Sequence, residues 1–372
     1  MERKLASVQR IVAIDSIEGA DKIEVATILG WKVVIAKKDN FKVGDKVVYV
    51  EIDSILPEKP EFEFMRERKF RVKTIKLKGQ ISQGICFPMD ILPKSRTAYN
   101  VDDDVTDVIG IKKYDPQADW EKKETERFEG IYKNRLDKFM KRYSWYRKLT
   151  FKPSRAPFPP FIKRTDENRI QLFPHYYEDW KHLRFSVTEK IDGQSATYFV
   201  MLNPKKGLFQ PKWLFGVCSR NFQLLKQDNS SYWFIADKYN LKEKMIKYCE
   251  RYNAERLTIQ GEIIGPKIQG NKYNVSEPDF YVFNIILHKH QLPLFFDQQE
   301  QDADCRYELD LKPVPVISYS FELYPTMQEM IDYSSAPSTL CNIPREGIVV
   351  RNYENGISFK VINSEFLLKY DN

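Results

Sequence analysis

Histidine and cysteine are scarce in this chain, with four and five residues among 372. The cysteines (Cys86, Cys218, Cys249, Cys305 and Cys341) are odd in number and never spaced as Cys-x-x-Cys. That pattern argues against a disulfide framework and a zinc knuckle, and predicts buried thiols in a reducing compartment. His288-x-His290 has no cysteine nearby, so a structural or surface role is expected for it rather than a metal site. No apolar run approaches the roughly 20 residues of a membrane span. Met1-Glu2-Arg3-Lys4 opens a mixed run without the apolar core of a signal peptide. These absences predict a soluble, intracellular protein, cytoplasmic or nuclear, with no membrane partner.

What is present is aromatic and mildly basic. Aromatics make up 14% of the chain, many beside basic residues, and 59 Lys and Arg against 52 Asp and Glu give a net charge of +7. That excess suits a polyanionic partner without requiring one. The length suggests two or three domains.

Residues 1–115 read as a β domain. Ile23–Ala36 is β-branched and broken by Gly30, as in a hairpin, and Phe41–Val50 carries a Gly44-Asp45 turn into another strand. Phe70–Leu77 alternates, and Gly84–Pro88 adds a further short strand. Short strands with polar turns predict a small OB-like β barrel, either a plain scaffold or one that touches nucleic acid. Gly19–Ala26 also resembles the opening of OB domains that bind tRNA in some synthetase-associated proteins. Residues 116–160 form a charged, aromatic connector, markedly basic from Lys138 to Lys152 and ending in Pro153, Pro157, Pro159 and Pro160. It reads either as a phosphate-tracking segment or as a solvated helix between domains. Residues 161–372 read as a mixed α/β domain. Strands are predicted at 184–191, 195–202, 213–219, 257–264, 280–287, 347–352 and 356–362, with a helix over 232–252.

The chemistry centres on Glu189-Lys190-Ile191-Asp192-Gly193. A lysine just before an Asp-Gly turn places an amine at the mouth of a strand, where it can attack phosphorus if nearby cations or partial desolvation lower its pKa. Alone, the four-residue match is common in hairpin turns. Its companions follow in fixed order: Ser219-Arg220-Asn221, Gly261-Glu262-Ile263-Ile264-Gly265, Tyr281–Ile285, Glu346–Arg351 and Ser358–Ile362. Glu262 between glycines can reach a ribose hydroxyl. Phe283 can stack on a purine or simply fill the core. Glu346 can accept from metal-bound water. Lys360 and Arg220 can pair with phosphate during displacement.

This ordered set resembles the covalent nucleotidyltransferase superfamily of DNA ligases, RNA ligases and mRNA capping enzymes, over about residues 160–372. In DNA ligases and capping enzymes an OB domain follows the last motif, whereas here only residues 361–372 follow Lys360 and the OB-like region lies in front. That order resembles the Naegleria-type RNA ligases, as does the segment Phe161–Gln171 before the lysine. The resemblance implies an α+β protein: an N-terminal OB-like barrel followed by a nucleotidyltransferase domain of antiparallel sheets, residues 161–372. It implies an ATP-dependent RNA ligase, expected to be monomeric, that joins 3′-hydroxyl and 5′-phosphate RNA ends through a lysine–AMP intermediate. Lys190 and Lys360 are then catalytic. Arg169 grips the outer ATP phosphates, and Glu189, Asp192, Gly193, Arg220, Glu262 and Phe283 complete the nucleotide site. Glu346 and Asp192 face Mg²⁺ or Mn²⁺. Two positions depart from the family pattern. Many members have Lys-x-Lys in the last motif, where this chain has only Lys360 with Ser358 and Ile362 two positions either side, and Ser195 stands where some have an asparagine. The alternatives are a DNA ligase, a capping guanylyltransferase, or an RNA-binding protein with a decayed ligase domain.

Overall fold

The computed structural model describes residues 4–93, 98–114, 139–140, 143, 155–204, 211–225, 229–290 and 292–370. The connector expected over 116–160 lies outside them except at 139–140, 143 and 155–160. Among the described residues, no helix is long and apolar enough to cross a membrane.

The N-terminal strands are β1 (Ala6–Ser16), β2 (Ile23–Ile28), β3 (Trp31–Ala36), β4 (Lys46–Val50), β5 (Ser54–Ile55), β6 (Thr74–Leu77), β7 (Gln80–Gln83), β8 (Ile85–Pro88) and β9 (Lys112–Lys113). Five of them form an antiparallel sheet in the order β3-β2-β1-β4-β8, while β6 pairs with β7 and β5 with β9. The β2–β3 hairpin forms where expected, turning at Leu29 and Gly30. Strand β1, at the centre of the sheet, escaped the sequence pattern. Its first four residues are buried on both faces, Ser7 and Gln9 included, and a bulge between Ile11 and Ala13 breaks the period-2 alternation. The curled sheet closes over a core holding Trp31, Tyr49 and Phe62, all nearly inaccessible. Each such side chain contributes roughly 1.5–3 kcal/mol by leaving water.

The remaining strands are β10 (Arg155–Pro157), β11 (Asn168–Arg169), β12 (Phe185–Lys190), β13 (Gln194–Leu202), β14 (Trp213–Cys218), β15 (Phe222–Leu224), β16 (Arg256–Ile264), β17 (Asp279–Lys289), β18 (Leu292–Phe295), β19 (Lys312–Pro313), β20 (Val316–Phe321), β21 (Gly347–Asn352) and β22 (Ile357–Ile362). They build two sheets. The larger runs β10-β15-β14-β13-β16-β17-β18 with β19 beside β17, and the smaller runs β11-β22-β21-β12-β20. Pairing is antiparallel except at β11–β22 and β17–β19. The fold is therefore the expected α+β arrangement of an OB domain and antiparallel sheets.

Two helices, Ser231–Lys238 and Leu241–Arg251, pack on the larger sheet where one was expected over 232–252. Asn240 takes a left-handed backbone, φ 49°, and ends the first helix. Leu241, Met245, Tyr248 and Cys249 then recur at helical spacing and are buried. Cys218, Cys249 and Cys305 are buried thiols, and Cys86 and Cys341 are partly so.

The barrel is joined to the rest through close contacts. Gly30 N–H donates to Gln171 O at 2.9 Å, and Leu367, from the helix Ser364–Tyr370, packs against the barrel core. A Cβ at Gly30 would lie 2.8 Å from Met327 Cε and 2.9 Å from Gln171 Cα. The methionine tip can move but the Gln171 backbone cannot. Gly30→Val is therefore expected to lower the unfolding midpoint by several degrees, at ~2–4 °C per kcal/mol for a chain of this size. Differential scanning calorimetry checks this, and an unchanged midpoint would contradict the tight junction.

Candidate active site

The two sheets of the second domain meet at the lysine. Lys190 is the last residue of β12 in the smaller sheet, and Gln194 is the first of β13 in the larger. Residues 191–193 carry the chain from one sheet to the other. Gly193 is required there, because a Cβ would sit 2.4 Å from Ile263 O and 2.9 Å from Glu262 Cγ. Register then brings the companions together. Lys190 is opposite Gly347, next to Glu346, and Ser195 is opposite Glu262. Lys360 is flanked by Arg169 on β11 and Val349 on β21. Between the sheets lies a cavity of about 500 Å³, lined by every residue singled out from the sequence for the site.

The lysine's surroundings are acidic, not cationic. Lys190 Nζ donates to Glu346 Oε2 at 2.6 Å. Burial pulls the Lys190 pKa down, but the carboxylates of Glu346, Glu262 and Asp192 outweigh it and the net shift is upward. This corrects the expectation of an amine whose pKa is lowered by its neighbours: in this arrangement Lys190 is an ammonium in an ion pair. Glu346 is also raised, by burial first, with Asp192 adding to it against the pull of Lys190. Glu262 is pushed up to about 8, chiefly by burial and further by Glu346 and Asp192, against Lys190.

Other expected residues are placed as follows. Arg169 is buried, its Nη2 3.1 Å from Asp53 Oδ2 of the barrel and its guanidinium 5.8 Å from the Trp31 ring centre. Asp192 is paired with Lys272, and its backbone N–H donates to Tyr273 OH at 2.9 Å. Glu189 directs its carboxylate to the 338–339 loop, accepting from Ser338 Oγ at 2.5 Å, Thr339 N–H at 2.8 Å and Thr339 Oγ1 at 2.7 Å. Phe283 is half-buried beside Ile191, Ile264 and Val314, with Arg351 Nη1 donating to its carbonyl at 3.1 Å.

Arg220 and Lys360 converge on Asp166, where Lys113 of the barrel joins them. Burial opposes charge on Asp166, but Lys360, Lys113 and Arg220 together hold its carboxyl well below the usual range. Asp166, Lys113, Lys272 and Tyr273 were not singled out from the sequence. Asp166 lies three residues before Arg169, inside the segment that carried the family resemblance, and that was the available signal.

Asp192, Glu262 and Glu346 supply the hard oxygen donors that suit Mg²⁺ or Mn²⁺. Among the described residues, no three such side chains form a ready-made cage. Oxygen donors of this kind suit a hard cation such as Mg²⁺, which usually keeps several waters.

An OB-fold domain model matches residues 5–89, and the RNA ligase family model matches residues 183–370. No curated protein matches the chain significantly. Among solved structures, a mutant of Naegleria gruberi RNA ligase with AMP and Mn shares 30% identity, with 99% of each chain covered and a TM-score of 0.77. Another mutant of that ligase, with ATP and Mn, shares 29% identity over 99% of each chain at a TM-score of 0.76. The same ligase with PPi shares 31% identity, covering 100% of this chain and 99% of that one, at 0.76. Behind the OB barrel, a lysine at a sheet crossover is thus ringed by carboxylates and faced by cations. The chain belongs to the RNA ligase family.

The raised pKa of Glu262 has a stability consequence. Its folded value of about 8 lies above the ordinary 4.5, so the folded protein holds this proton more tightly than the unfolded chain does. The stability from this group is complete below pH 4.5 and is lost as pH rises to about 8. Glu262→Gln removes the cost of the buried charge, so its unfolding midpoint should exceed that of the unaltered protein at pH 8.5 by several degrees or more. The gap should shrink toward pH 5. Melting curves at both pH values test this, and a variant less stable at pH 8.5 would refute it.

Proposed function

We propose that this ligase seals RNA 3′-hydroxyl and 5′-phosphate ends in RNA repair, through a lysine–AMP intermediate on Lys190. The observation that carries the reading is the Lys190–Glu346 pair, set in a cavity with an apolar slot on one side and a convergence of cations on the other. Ile191, Val314 and Phe283 offer the slot for the purine. Glu262, opposite Ser195 on the neighbouring strand, would meet the ribose, a reading supported by its position on the cavity wall. Arg169, Arg220, Lys360 and the barrel's Lys113 and Arg71 line the wall where the phosphates would lie. Supporting this, relatives of the same fold have been solved with ATP and Mn, AMP and Mn, and PPi.

In the first step Lys190 Nζ attacks the α-phosphorus of ATP, the bond to the β-phosphate oxygen breaks, and pyrophosphate leaves. Lys190 must lose its proton, and Glu346 Oε2, at 2.6 Å, is the acceptor already bonded to it. Glu346 and Asp192 would hold Mg²⁺ or Mn²⁺ through water. When bound, such a cation would supply charge that disfavours the lysine proton and polarises the α-phosphate. Lys360 and Arg220 stabilise charge on the phosphate oxygens, while Arg169 orients the leaving group. AMP then passes from Lys190 to an RNA 5′-phosphate. Finally an RNA 3′-hydroxyl attacks that activated phosphate, forming the phosphodiester and releasing AMP. Glu189, bound to Ser338 and Thr339, acts as an anchor for the loop beside the purine slot.

Incubation with labelled ATP should label the protein on Lys190, and labelled GTP should not. Lys190→Ala is expected to remove all label with the fold retained, and Lys360→Ala to slow labelling by about 100-fold or more. Label persisting in Lys190→Ala, or labelling by GTP alone, would overturn the reading. Nicked duplexes with RNA or DNA at each end in turn then define the strand that is sealed.

A further inference from the structure

Three cations of separate origin meet on one carboxylate that no step above uses. Asp166 Oδ1 accepts from Lys360 Nζ at 3.0 Å. Asp166 Oδ2 accepts from Lys113 Nζ at 2.5 Å and from Arg220 Nη2 at 3.3 Å. Lys113 belongs to β9 of the barrel, Arg220 to the turn between β14 and β15 in the larger sheet, and Lys360 to β22 in the smaller. One side chain therefore links all three layers around the cavity.

Three like charges brought this close repel one another and must shed water, which is unfavourable without an anion between them. A carboxylate offers two oxygens and one negative charge, the same acceptor pattern as one edge of a phosphate. Asp166 lies on the cavity wall in the stretch 163–167, which has neither helix nor strand, and its side chain is 33% exposed. It can turn aside without breaking any strand pairing.

We infer that Asp166 is a built-in phosphate surrogate: it gathers Lys113, Arg220 and Lys360 and yields them to the phosphates of ATP or pyrophosphate. It is a positioning residue, acting through the cations it holds. The inference rests on the reading of this cavity as the ATP site. Two effects follow. The cations are assembled before the nucleotide arrives, so the barrel is already drawn toward the catalytic sheets through Lys113. The same carboxylate then competes with every phosphate ligand, which weakens the hold on pyrophosphate and helps it leave after Lys190 is adenylylated.

Calorimetric titration of the full chain with magnesium pyrophosphate, and separately with magnesium ATP, tests the inference in the unaltered protein, Asp166→Asn, Asp166→Ser and Asp166→Glu. Both neutral variants should bind pyrophosphate about tenfold more tightly, the scale of one partly screened charge. Their KM for ATP in the labelling reaction should fall, with pyrophosphate a stronger inhibitor. Asp166→Glu, which keeps the carboxylate, should stay near the unaltered protein. A structural role alone would not tighten binding. Unchanged or weaker pyrophosphate binding in both neutral variants overturns the Asp166 inference, while ATP and pyrophosphate still binding the unaltered protein leaves the site reading intact. An unaltered protein that binds neither ligand overturns both.

Discussion

A buried ammonium held among carboxylates is the constraint on which the site depends. Lys190 and Glu346 are 156 positions apart in the chain, and strands β12 and β21 must pair in one register to bring them to 2.6 Å. A slip by one residue would turn Lys190 to the other face of its sheet. Register is held by the buried alternation around Val187, Ile348 and Val350, and by the close fit of Gly347, whose Cβ would meet Val361 O at 2.2 Å. The pair is therefore a product of core packing. In return the core tolerates two charges only because they face each other; removing one partner from such a pair leaves the other uncompensated and typically costs several kcal/mol.

That constraint divides the cavity electrically. At one end Asp192, Glu262 and Glu346 surround the amine, and burial drives the last two toward protonation. At the other end three cations face Asp166 and hold its carboxyl well below the usual range. The polarity suits a ligand that is cationic where it meets the first group and anionic where it meets the second, as a divalent metal with a triphosphate is. The barrel takes part at the cationic end, through Lys113, Arg71, Tyr114 and the Asp53–Arg169 contact. An OB domain in front of the catalytic sheets thus becomes a wall of their site.

How much of this was legible in the sequence follows from the range of the forces involved. Strands such as 347–352 and 280–287 declared themselves because local alternation and β-branching reflect a half-buried surface. Lys190, Glu262, Glu346 and Lys360 were found as an ordered set, although each alone looked ordinary. Strand β1 was hidden because burial on both faces erases alternation. The direction of the Lys190 shift was misjudged for a different reason. Its neighbours in the chain are one glutamate and one aspartate, while the groups that decide its charge include Glu262 and Glu346, which only the fold delivers. Lys113 and Lys272 were illegible on the same ground, since nothing beside them in sequence announces a partner 53 or 80 residues away.

The last motif shows how the fold makes up what the sequence lacks. Strand alternation puts Ser358, Lys360 and Ile362 on one face of β22, so a second lysine at either flanking position would have joined Lys360 there. Ser358 is instead opposite Arg351, which lines the cavity and is tied to Glu167 at 3.2 Å. Positive charge beside Lys360 comes from Arg220 in the larger sheet and Lys113 in the barrel, both gathered by Asp166. Two sources in different layers replace one neighbour on the same strand. On the proposed reading the phosphate grip is built across the domain junction, so its strength would depend on how closely barrel and sheets are held together.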